Sequence, residues 1–150
     1  EPERRECLEI ERIADQEIGP AVRRLAYEKV LANRAMFARL MLPKKGATRL
    51  LNPVRARLIS YKLKRHFGIS RQNTARDRVL LDETIGDLQT RLDGRAHFIG
   101  ETLTIADIAV ASLLNPLEIV KDFSEAASYS RIFTWMRDLR CEHGRRGWKK

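Results

Sequence analysis

The chain has 150 residues, 43% of them hydrophobic and 33% charged. That length suits one domain with a single core, and the composition excludes a disordered chain. The net charge is +9, and the longest uncharged apolar stretch, Ile108 to Leu117 with Asn115 inside it, falls well short of the ~20 residues a membrane helix needs.

Glu3 to Leu31 has helical period, with Ile10, Ala14, Ile18, Val22 and Leu25 three or four residues apart. Gly19-Pro20 falls in its middle. Proline removes a hydrogen bond and collides with the carbonyl four residues back, so a kink or break is expected there. Just beyond, Arg24 and Tyr27 stand three apart on one face, with Arg23 beside them. A cation and a phenol on a helix of small residues suit a pocket for a partly apolar, partly anionic ligand. The structural alternative is an exposed arginine beside a core tyrosine. A further short helix is expected over 35–42, ended by Pro43-Lys44-Lys45-Gly46.

Asn52-Pro53 opens the next helix, with Asn as cap and Pro in the first turn. Val54, Leu58 and Tyr61 form one stripe, with Ile59, Leu63 and Phe67 beside it, and Gly68 is the stop. The segment from Pro43 to Arg76 holds ten basic residues and no acid. It suits nucleic acid, an acidic neighbour or a solvated surface, and nucleic acid is not the favoured reading because no recognition motif accompanies it. A long helix follows from about Arg71 to Leu92, stepped by Leu81, Ile85, Leu88 and Leu92. Gly86 inside it is expected to mark a close helix crossing. Asp93-Gly94 ends the helix, and Phe98 and Ile99 are expected to turn inward.

Leu103-Thr104-Ile105-Ala106-Asp107-Ile108 carries a complete helix start. Thr104 is the N-cap, Asp107 three residues on completes a capping box, and Leu103 with Ile108 can close as a hydrophobic staple. Ala109 to Leu114 is apolar on all sides, which predicts a helix buried in the middle of the domain. These four residues serve folding, not chemistry. Asn115-Pro116 repeats the cap pattern and predicts a short helix with Leu117, Val120 and Phe123 inward. Ile132, Trp135, Met136 and Leu139 give the last helix. No stretch alternates as a strand does, so the fold class is all-α, a single domain over 1–150 built as a bundle of five to seven helices.

Chemistry is sparse. Cys7 and Cys141 show no CxxC spacing, which points to a reducing cytoplasm, and the three histidines form no metal motif. No Gly-rich phosphate loop or nucleophile elbow is present, so no catalytic residue, metal or bound cofactor is expected in this chain. The mixed acids and arginines of the first twelve residues do not read as a signal peptide. A start at Glu1-Pro2 without methionine reads as the back end of a longer protein.

The stretch Arg91-Leu92-Asp93-Gly94-Arg95-Ala96-His97-Phe98-Ile99-Gly100-Glu101-Thr102-Leu103-Thr104-Ile105-Ala106-Asp107-Ile108-Ala109 resembles the signature of the C-terminal helical domain of cytosolic-type glutathione S-transferases. Ile18 to Leu25 is similar to the first helix of that domain in some bacterial members, and Tyr129 through Trp135 to its last helix. Glu101 stands where members often carry Asp. The resemblance implies that an N-terminal thioredoxin-like domain, absent here, binds glutathione and supplies the activating Ser, Tyr or Cys. It implies that Arg24 and Tyr27 line the pocket of the electrophilic co-substrate, and that the first helices take part in homodimer contacts. The expectation is a C-terminal transferase-like domain whose parent conjugates glutathione or reduces with it. A non-catalytic interaction module associated with RNA or translation proteins stays open as the alternative.

Overall fold

The computed structural model describes residues 1–33, 35–37 and 53–143, with backbone only for 53–56. Among these residues every regular element is helical, with α1 over Pro2–Ile13, α2 over Gly19–Ala32, α3 over Pro53–His66 and α4 over Arg71–Leu92. Next come α5 over Ile105–Leu114, α6 over Lys121–Ser124 and α7 over Ser130–His143. Two 3₁₀ turns, Asn115–Ile119 and Ala127–Tyr129, link the last three.

Of the kink or break expected at Gly19-Pro20, the chain shows no break. α1 and α2 run on through a widened π turn over Ala14–Ile18, where the N–H of Gly19 reaches the carbonyl of Ala14. An extra residue in the turn accommodates a proline that can neither donate nor tolerate the tighter ladder. The core face stays in register: Ile10, Ala14, Ile18, Ala21, Val22 and Leu25 are all buried.

α2 packs on α4 and on α5, α1 packs on α5, and α4 also meets α7. α4 begins at Ser70, whose hydroxyl accepts the N–H of Asn73 at 3.1 Å. It buries Leu81, Ile85, Leu88 and Leu92 and ends on Asp93 in the left-handed region at φ 39°. Gly86 does not mark a crossing. It faces solvent, and a methyl group there would meet nothing within 4 Å.

The link 95–104 is organised from α5. Asp107 is fully buried. Its Oδ2 accepts the backbone N–H of Thr104 and the Thr104 hydroxyl, each at 2.8 Å, and its Oδ1 accepts the N–H of Phe98 at 2.9 Å. His97 Nδ1 lies 3.7 Å from the same carboxylate. Phe98 is thereby set edge-on against Trp135, with centroids 5.1 Å apart. The Trp135 indole N–H donates to the carbonyl of Ala96 at 2.7 Å.

α5 is not buried on all sides. Ala106, Val110 and Leu114 face the core, but Ile105 is 53% and Ile108 49% exposed. Leu103, paired with Ile108 in the sequence as a staple, packs against the core while Ile108 looks outward. The helix lies against the first two helices, which cover one of its faces only, and its outer apolar residues meet water. After Leu114 the helical backbone continues into Asn115, so Asn115 has no extended conformation from which to cap. Its side-chain oxygen accepts from Arg140 at 2.7 Å instead, and the expected single helix divides at Val120 into a 3₁₀ turn and α6. Leu117, Val120 and Phe123 are nevertheless buried.

Of the helix expected over 35–42, residues 35–37 are helical and capped by Asn33, whose Oδ1 accepts from the N–H groups of Ala35 and Met36. Positions 38–52, including the expected stop at Pro43 and the cap at Asn52, lie outside the described residues.

Candidate functional site

A largely apolar recess of about 330 Å³ opens between α2 and the chain from the end of α5 into the 3₁₀ turn. Its floor is Val22, Ala26, Val30, Leu113, Pro116 and Ile119, and Gly19 closes one end. A Cβ at Gly19 would touch Leu113 Cδ2 at 3.4 Å. Arg23 and Tyr27 supply the polar edge. The Tyr27 ring stacks on Phe67, just beyond α3, with centroids 4.7 Å apart and planes 20° from parallel. The groove thus offers apolar walls, a braced phenol and one exposed guanidinium, which suits a largely apolar ligand with an anionic or acceptor group.

Arg24 is placed elsewhere. Its Nε and Nη2 donate to the two carboxylate oxygens of Asp77, each at 2.6 Å. Asp77 is 3% exposed. Hydrogen bonding to Asp77 raises the guanidinium pKa further, so the side chain is held as a cation tying α2 to α4. Arg24 and Tyr27 therefore do not converge. Arg24 borders a separate recess with Asn73, Arg76, Asp77 and Leu80. Helical spacing places neighbours on a surface but does not reveal that one of them is taken by a carboxylate fifty residues on. One signal was present: Asp77 sits at a core-facing step of α4, four residues before Leu81, where a buried acid requires a cation.

Ser112 also lines the groove, and its hydroxyl donates to the carbonyl of Ala109 at 3.0 Å. Cys7 and Cys141 are thiols without a disulfide. Among the described residues no three His, Cys, Asp or Glu side chains gather as a metal site. No helix described is long and apolar enough to cross a membrane. The arrangement can bind and orient, and it places no nucleophile beside a base.

Residues 71–138 match the family model for the glutathione S-transferase C-terminal domain. That span takes in α4, the Asp107-organised link, α5 and most of α7, while α2 and its groove face precede it. Comparison with curated proteins and with solved structures returned no match. The all-helical fold of the described residues and the link hung from the start of α5 agree with that match, so residues 71–138 are similar to the C-terminal helical domain of glutathione S-transferases.

Proposed function

We propose that the groove between α2 and the 3₁₀ turn is one wall of the pocket for the electrophilic co-substrate in a parent protein that uses glutathione, by conjugation or by reduction. A thioredoxin-like domain of that parent would bind glutathione and activate its thiol, and this chain would orient the second reactant. The observation that carries the reading is the groove itself: apolar, edged by Arg23 and Tyr27, in a chain similar to this family's helical domain over residues 71–138. Its task is positioning, the part of catalysis that an apolar wall with a fixed phenol and cation can contribute.

The test uses the intact parent with glutathione and a panel of apolar electrophiles. Tyr27→Ala and Arg23→Ala are expected to raise KM for the electrophile several-fold and leave KM for glutathione unchanged. Failure of the intact protein to bind glutathione, or equal effects on both substrates, would end this reading.

A further inference from the structure

α3 departs from the packing of the other long helices. Leu58 is 55%, Ile59 37% and Tyr61 61% exposed. From Arg57 to His66 only Ser60 and Leu63 are even partly covered. At roughly 100° per residue, Leu58 and Tyr61 share one outward face, with Arg57 on one side, Lys62 on the other and Arg65 one turn further along it. The helix contains no acid, and none occurs anywhere from Lys29 to Arg76. A single exposed leucine needs no explanation. Two apolar side chains on one outward face, bordered by cations of one sign, offer a partner apolar contact and charge together.

We propose that α3 docks an acidic amphipathic helix of a partner protein. Leu58 and Tyr61 enter the shared apolar seam, Arg57 and Lys62 pair with carboxylates along its edges, and Arg65 meets a further carboxylate where the seam ends one turn on. The width of the stripe favours this occupant. Two seam positions with cations on both sides match the narrow contact line of paired helices. A helix lying in a lipid interface presents a much broader apolar face. A nucleic acid would engage the cations and stack on Tyr61, but would leave Leu58 in water. The uniform positive charge steers an acidic partner and rejects a basic one.

The experiment titrates the full chain into a labelled helical peptide with leucine at its seam positions and glutamate beside them. A scrambled peptide of the same composition, a single-stranded RNA oligonucleotide and phosphatidylserine vesicles are measured alongside. The patterned peptide is expected to bind at least about tenfold more tightly than the scrambled one, because pattern and charge are both read. Leu58→Gln with Tyr61→Gln should remove that preference without moving the unfolding midpoint, since both side chains are exposed. Lys62→Glu with Arg65→Glu keeps the apolar residues and should weaken the same peptide; it decides the matter if the first variant alters stability. Equal affinity for the two peptides, no loss in either variant, or tighter binding of the oligonucleotide or the vesicles would overturn the proposal.

Discussion

Asp107 shows how much one side chain can hold. A capping residue usually satisfies a single amide, and its loss costs ~1 kcal/mol. Here one carboxylate accepts from Thr104 twice and from Phe98 once while wholly buried. Asp107→Ala leaves two backbone amides without their acceptor and should cost about 3–4 kcal/mol. Thr104→Ala keeps the carboxylate and should cost only ~1 kcal/mol. Urea unfolding of the two variants checks the difference. Tyr129 gives a second case. Partial burial, and then its hydroxyl bond to Asp82, push its pKa up to about 12. The folded state thus favours the neutral phenol, so this contribution to stability is complete below pH ~10 and is lost as pH rises through the folded value. An ultraviolet titration of tyrosinate should show a component near 12 that disappears in Tyr129→Phe and moves down in Asp82→Asn.

At the scale of elements, glycines separate local from tertiary demands. Gly86 is exposed, has room for a methyl and lies in regular helix. Gly86→Ala should therefore stabilise the domain by roughly 0.5–1 kcal/mol. Gly94, at φ 77°, follows the left-handed Asp93, and Gly94→Ala should destabilise by a similar amount, about 1 kcal/mol. Thermal melts of the pair test both signs. The start of α4, the inward turn of Phe98 and Ile99, and the buried Leu117, Val120 and Phe123 were all legible in the sequence, because each rests on local spacing. The π turn was not. A proline after a glycine announces a disturbed ladder, but whether the ladder breaks or widens depends on the core face on either side, and Ala14 and Ile18 are held on both. The half-exposed state of α5 was also hidden, since an all-apolar decamer reads the same with one covered face or two.

Across the whole molecule, the ion pair of Arg24 and Asp77 joins α2 to α4 and fixes how the first helices sit on the long one. Arg24 keeps some contact with solvent, whereas the Asp77 side chain is 4% exposed. Arg24→Ala strands that carboxylate and should cost about 3 kcal/mol, near the lower end for a buried pair that loses one partner. Arg24→Lys keeps the charge but not the fork, and should recover only part. If Arg24 acts through architecture alone, the loss appears in the unfolding midpoint, and electrophile KM in the parent stays as it was. The candidate groove was half visible in the sequence. Gly19, Arg23 and Tyr27 share one face of α2 by helical spacing, but Leu113, Pro116 and Ile119 join them only after the chain has folded back through long-range contacts that spacing cannot encode.

The Phe98 amide donates its hydrogen bond to a carboxylate that water does not reach, although Phe98 belongs to no helix. In deuterated solvent this link residue should keep its proton as long as the interior of α4 does, and release it only when the entire domain opens. The slowest-exchanging set would then include a position outside every regular element, and the time course at Phe98 would report global rather than local opening.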